Sequence, residues 1–181
     1  MTKVTIIGSG NVAQHLIQAF QNPTVLNGQI ELIQAFSRKQ NTLTHLMDAA
    51  KITTDFKALQ TADVYIIAVS DDAIAEVSAQ LPFENRLVVH TSGTVALANL
   101  SDTNRKGVFY PLQTFSKNKT VDFKTIPICL EAQNENDLKI LQKIAHVISD
   151  SVYEINSEQR KALHVAAVFV NNFVNHLYQI G

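Results

Sequence analysis

Residues Val4 to Leu16 read V-T-I-I-G-S-G-N-V-A-Q-H-L, and this stretch restricts the fold more than any other. A short β-branched run meets Gly8, then Gly10, then Ala13, and a helical pattern opens with Val12, Leu16, Ile17 and Phe20 on one side. The spacing G-x-G-x-x-A after a strand is that of a turn that holds a dinucleotide pyrophosphate. Gly8 allows the tight turn, Gly10 lets phosphates approach the backbone, and Ala13 lets the helix pack close to the sheet. Free N–H groups and the positive end of the helix dipole then face the anion. The pyrophosphate candidates are Gly8, Ser9, Gly10, Asn11 and Val12.

The next strand, Ile30 to Phe36, bears on the choice of cofactor. A site for NAD usually ends this strand in Asp or Glu, which binds the ribose hydroxyls. Here Ser37, Arg38 and Lys39 follow instead. A hydroxyl and a guanidinium suit a 2′-phosphate, so Ser37 and Arg38 favour NADP over NAD. The plainer reading of Arg38 and Lys39 is a solvated start to the next helix.

Strand and helix patterns alternate from there to Ile155. Asn41 to Ala50 reads as a helix, with Leu43, Leu46 and Met47 inward. A short strand at Ile52 to Thr54 and a brief helix around Phe56 to Leu59 follow. Asp63 to Val69 is nearly continuous and apolar, as expected of a central parallel strand. Val69 and Ser70 lie at its carboxyl end, where ligands sit in open α/β sheets. Ser70-Asp71-Asp72 is read as the cap of a helix from Ala73 to Leu81, in preference to a carboxylate pair for metal or proton transfer. Leu87 to His90 is the next strand, and Thr91 and Ser92 after it are candidates for the nicotinamide side. His90 at the strand end serves either proton transfer or structure, the second being commoner. Strands at Lys106 to Tyr110, Ile126 to Leu130 and Val152 to Ile155 and a helix at Glu135 to Ile148 complete the pattern. The class is α/β: a doubly wound, mainly parallel Rossmann sheet, followed by the start of an all-α domain.

The last element, Ser157 to Gln179, is a helix apolar over most of its circumference and is expected to be buried. A stripe of His164, Asn171 and Asn175 interrupts it, with all three projecting in nearly the same direction. These polar groups either satisfy neighbouring backbone or line a cleft. In a cleft, His164 would supply the proton donor that the site otherwise lacks.

Composition narrows the partners. Among 181 residues, 46% are hydrophobic and the net charge is −1, with no basic stripe, which argues against nucleic acid. No apolar run is long enough to span a bilayer. The single cysteine, Cys129, falls in an apolar strand pattern, fits a reducing cytoplasm and reads as a buried bystander. No metal-ligand spacing is present.

Taken together, I-I-G-S-G-N-V-A (Ile6 to Ala13), S-R (Ser37, Arg38), A-V-S-D-D-A-I (Ala68 to Ile74), H-T-S-G-T (His90 to Thr94), F-Y-P-L-Q-T-F (Phe109 to Phe115) and H-V-A-A-V-F-V-N-N-F (His164 to Phe173) carry a resemblance. The chain resembles the Rossmann-like bacterial family labelled as deazaflavin-type NADP oxidoreductases, which pair such a domain with a helical C-terminal domain of unassigned function. More distantly it is similar to pyrroline-5-carboxylate reductase, prephenate dehydrogenase and the 3-hydroxyisobutyrate dehydrogenase group. The resemblance implies a Rossmann domain over 1–155 and, over 156–181, the first helix of a helical domain that is cut short. It also implies a homodimer through that region and a small-molecule substrate between the domains. The hydroxyisobutyrate group carries a Lys one turn before an Asn on this helix. If Asn172 is that Asn, Val168 stands where the Lys would be. His164 is then the candidate general acid, with Asn171 or Asn172 orienting a carbonyl, imine or hydroxy substrate. The alternative is a non-catalytic module that binds NADP as a sensor.

Overall fold

The aliphatic and β-branched runs become strands of one sheet because the central ones bury both faces. The computed structural model describes residues 1–23, 28–116 and 119–180, with side chains described as far as Val170. The strands are β1 (Thr2–Ile7), β2 (Ile30–Phe36), β3 (Ile52–Thr53), β4 (Val64–Ile67), β5 (Leu87–His90), β6 (Arg105–Pro111), β7 (Ile128–Ala132) and β8 (Val152–Glu154). They form an eight-stranded sheet in the order β3-β2-β1-β4-β5-β6-β7-β8. β4 and β5 are buried at every position.

Strands β1 to β6 are mutually parallel where they pair, and β7 is antiparallel to β6, with Pro111 opposite Ile128. β8 pairs parallel to β7. The sequence reading of a mainly parallel sheet holds, and the reversal is confined to one seam. Among the described residues the α-helices are α1 (Asn11–Ala19), α2 (Ile74–Ala79), α3 (Glu135–Ile148) and α4 (Ser157–Ile180). α3 starts on Asn134, whose side chain accepts from the Asp137 N–H at 2.9 Å.

One expected helix is not formed. Residues 41–50 contain only short 3₁₀ turns, Gln40–Thr42 and Ala49–Lys51. Local side-chain bonds compete with the helical ladder there: Thr44 Oγ1 donates to the Asn41 carbonyl and Asp48 Oδ1 accepts from the Ala50 N–H. Leu43 and Met47 are nevertheless buried, so the inward positions are met without the helix. Similarly, Phe56–Ala58 is a 3₁₀ turn, capped by Asp55.

The start of α4 is fastened to the sheet by Arg160, whose residue exposure is only 1%. Its guanidinium pairs with Glu131 on β7 and donates to the Val95 carbonyl at 2.5 Å. Ser157 Oγ donates to the same carboxylate and accepts from the Leu97 N–H at 3.1 Å. Further along, α4 does not meet the expectation of burial within this chain. Val165, Phe169 and Val170 are 57%, 68% and 61% exposed. His164 still meets Tyr110 of β6, but the apolar residues Val165, Phe169 and Val170 beyond Arg160 stay largely exposed within this chain.

Breaking a buried pair by removing one partner strands the other charge, at a cost of about 3–5 kcal/mol. Arg160→Ala is therefore expected to lower unfolding stability by about that amount in urea titrations. Arg160→Met combined with Glu131→Gln, which removes both charges, should cost clearly less.

Candidate functional site

The register of the central strands brings three strand ends to one edge. Ile7 of β1 stands opposite Phe36 of β2 and Ile67 of β4. The chain therefore leaves β1, β2 and β4 side by side, at Gly8, Ser37 and Ala68. The order of crossovers reverses between β1 and β4, and this is the place where open α/β sheets bind ligands.

Gly8 is required at this corner. Its φ is +138°, and a Cβ on it would stand 2.1 Å from the Ala68 carbonyl oxygen. Gly10 differs: a Cβ there would meet nothing within 4 Å. That open space lies before α1, whose N-cap is Gly10 itself, with no side-chain cap and no acidic residue in the first turn. The first-turn N–H groups are left for an outside acceptor.

A cavity of about 780 Å³ opens over this corner. Gly8, Ser9, Gly10, Asn11 and Val12 form its floor. Ser37 and Arg38 line one end, Val69 and Ser70 the β4 side, and Phe36, Phe56 and Val77 give apolar wall. Asn11 Nδ2 donates to the Phe115 carbonyl and Gln14 Nε2 to the Ser9 carbonyl, which fixes both sides of the turn. Ser37 is buried, with its hydroxyl donating to the Lys39 carbonyl at 3.0 Å. Arg38 is exposed and has no ion pair among the described residues. A bare glycine cradle, a helix start without a cap and an unpaired guanidinium together fit a dinucleotide carrying a third phosphate on its ribose.

Thr91 and Ser92 are placed differently. Both are buried and neither lines this cavity. Ser92 Oγ accepts from the N–H groups of Thr94 and Val95, both at 3.0 Å, and so shapes the loop after β5. Ser70 is the N-cap of the 3₁₀ turn leading into α2, but its side chain makes no cap bond. Asp71 accepts from Thr94 Oγ1 at 2.5 Å, tying this turn to the β5 loop. Asp72 is held below the usual carboxylate range, first by the Ser70 hydroxyl and then by backbone N–H groups. The pair therefore has structural work, and among the described residues no group of three or more His, Cys, Asp or Glu is placed to hold a metal. Cys129 is buried, and burial pushes its thiol up.

A second cavity of about 560 Å³ shares Gln113 with the first. It is lined by Tyr110 of β6, by Thr114 and Ser116 after that strand, by Lys119, and by His164 and Val168 of α4. His164 faces this cavity and not the first. Tyr110 Oη lies 2.8 Å from His164 Nδ1. Sequence reasoning passed over Tyr110 and Arg160, because nothing in their local pattern marks them: each acquires its place only by a partner far along the chain. The side chains of Asn171, Asn172 and Asn175 lie outside the described residues.

His90 is fully buried, and its Nδ1 accepts from the Ser92 N–H at 3.1 Å. Burial, reinforced by Arg160, pushes its pKa down from 6.5 to about 4, against smaller opposing effects of Asp71 and the Ala96 backbone. It is a neutral structural acceptor, not a proton carrier at neutral pH. Because the folded value lies below the unfolded one, the unfolded chain binds the proton first as pH falls. The stabilising contribution is complete above pH 6.5 and is lost on acidification toward pH 4, by about 3 kcal/mol in all. Urea midpoints compared at pH 7 and pH 4.5 should show that loss in the wild-type chain, and His90→Asn should remove most of it.

Comparison with known proteins agrees with this geometry. Residues 3–93 match the family described as NADP oxidoreductase coenzyme F420-dependent, and residues 126–181 match a domain of unknown function, DUF2520. No curated protein matches the chain. Among solved structures, a Bacteroides fragilis protein described as an NADP oxidoreductase is 38% identical, with a TM-score of 0.83 over 99% of this chain and 70% of its own. A Thermotoga maritima protein is 24% identical, with a TM-score of 0.74 over 96% of this chain and 65% of its own. The prephenate dehydrogenase of A. aeolicus, in complex with hydroxyphenyl propionate and NAD+, shares the fold at 12% identity and a TM-score of 0.70, over 88% of this chain and 62% of its own. The chain thus spans about two thirds of the length of these proteins. Its glycine turn, its sheet order and these matches agree, and the chain belongs to the F420-dependent type of NADP oxidoreductase family.

Proposed function

We propose that the chain is an NADP-dependent oxidoreductase that moves a hydride between nicotinamide and a small carbonyl, imine or hydroxy substrate. The observation that carries this reading is the adjacency of two cavities that share Gln113: one floored by the glycine turn, the other lined by His164. The turn from Gly8 to Val12 holds the pyrophosphate through the amides that follow Gly8, and Arg38 with Ser37 takes the 2′-phosphate. The bound cofactor supplies or accepts the hydride. In the reducing direction hydride adds to the substrate carbon, the C=O or C=N bond becomes single, and His164 gives a proton to the oxygen or nitrogen. Thr91 and Ser92 act through the loop they shape, and Asn172 is assigned to orient the substrate. Among the described residues lining the second cavity, Lys119 is the one cation and none is a carboxylate, which suits a substrate with an acid group.

The exposed apolar sides of α4 support a homodimer formed through residues 156–181, with 1–155 as the dinucleotide-binding unit. The buried free thiol of Cys129 suits a cytoplasmic protein. No helix among the described residues is long and apolar enough to cross a membrane. Val168, where a related enzyme group would carry a Lys, favours a second reading, a non-catalytic NADP sensor.

Four tests check these assignments. Gly10→Ala places a methyl in open space, so the melting temperature should stay unchanged while NADPH affinity falls by more than about tenfold in calorimetry. A steady-state survey of NADPH oxidation with keto acids and imines should find turnover, with NADPH preferred to NADH. Arg38→Ser should weaken NADPH binding about 10–100-fold and leave NADH binding nearly unchanged. His164→Ala should lose rate and keep cofactor affinity. Absence of turnover with every such substrate, with NADPH still bound tightly, would leave the sensor reading in place of the enzyme.

A further inference from the structure

Tyr110 of β6 and His164 of α4 lie 54 positions apart and meet on the wall of the second cavity. Their rings stand edge to face, with centroids 5.9 Å apart and planes at 62°. Gly93, in the loop after β5, closes the pair from another side. A Cβ on Gly93 would fall 2.4 Å from His164 Nδ1 and 2.8 Å from Tyr110 Cζ. Its glycine is therefore a matter of space around these two rings. The same loop is held by Arg160, through the Val95 carbonyl, one turn before His164 on α4. Three separate elements thus agree on one position for the imidazole.

We infer that Tyr110 is a positioning residue for His164: its hydroxyl donates to Nδ1 and holds the imidazole as the Nε2–H tautomer. The hydroxyl has no other hydrogen bond among the described residues, and Tyr110 is 8% exposed. Were His164 to donate from Nδ1, the phenolic proton would be left without an acceptor among the described residues, at a cost. Burial pushes the Tyr110 pKa up to about 12, aided by Cys129 and Asp71 and opposed by Arg160, so the phenol keeps the proton it donates. With Nδ1 occupied, Nε2–H is the one ring N–H left to give a proton to a bound molecule. A histidine that works by proton transfer needs its tautomer set by such a partner. The use of that proton rests on the proposed oxidoreductase reading; the tautomer does not.

Nitrogen-15 NMR of the full chain labelled at histidine tests this, with the His164 signals assigned from a His164→Gln sample. At neutral pH His164 should show a pyridine-type Nδ1 and a pyrrole-type Nε2. His90, whose Nδ1 accepts from a backbone N–H, should show the same pattern and serves as the folding control. In Tyr110→Phe the His164 pattern should give way to averaged tautomer signals while that of His90 stays. Gly93→Ala should do the same by forcing the rings apart. A His164 protonated at Nδ1 in the wild-type chain would overturn the inference, as would a pattern unchanged in both variants. Where turnover is found, Tyr110→Phe should lower kcat by about tenfold or more with the KM for NADPH unchanged. A wild-type chain with the Nε2–H tautomer and no turnover would count against the function and leave the positioning role standing.

Discussion

Gly8 and Ala68 approach so closely that no side chain fits between them, and the rest of the site follows from that contact. The missing Cβ lets β1 end directly against the end of β4, with the Ala68 N–H bonded to the Ile7 carbonyl at 2.8 Å. On the other side the Gly8 N–H bonds to the Phe36 carbonyl at 2.9 Å. Three strand ends are drawn level in this way. The nucleotide cavity is the space left above them, and its chemistry is mostly main chain, which resists change better than a set of side chains would.

A second constraint acts at the far side of the sheet. Arg160 is among the largest fully buried side chains described, and it joins β7, the loop after β5 and α4 in one network with Glu131 and Ser157. Burying a guanidinium is costly unless its charge and its donors are met. Here its ion pair and its carbonyl acceptor come from two different elements, while its buried Nε–H has no partner among the described residues, so the network specifies an arrangement as much as it stabilises one. It places His164 one turn further on, beside Tyr110 and above Gly93. The two sites of the molecule are linked by the β5 loop: Asp71, next to the nucleotide cavity, holds Thr94, and Arg160 holds Val95.

Much of this was legible in the residues. The alternation of apolar runs and helical patterns gave the strand positions closely, Ile30–Phe36 and the helix Glu135–Ile148 to the residue. The glycine turn and Ser37-Arg38 pointed to one end of the sheet before any coordinates. The misreadings have physical causes. Residues 41–50 carry a helical period, but Thr44 and Asp48 bond their own backbone, and the inward residues are buried by turns instead. Thr91 and Ser92 have the right chemistry and the right strand end, yet the Thr91 hydroxyl is aimed at the Ile67 carbonyl of β4 and that of Ser92 is engaged within the loop. The apolar pattern of α4 predicts burial that its described residues do not show, because periodicity reports which residues avoid water, not which layer covers them.

Local pattern alone determined the fold class, the glycine turn at the end of β1 and the cation at the end of β2, because each depends on residues within a few positions of one another. Tertiary structure alone decided that β7 reverses direction, that Arg160 is buried, that His90 is a neutral acceptor and that Tyr110 meets His164. Those outcomes depend on contacts between residues tens of positions apart, and no periodicity along the chain encodes which distant partner closes a hydrogen bond or excludes water from a charge.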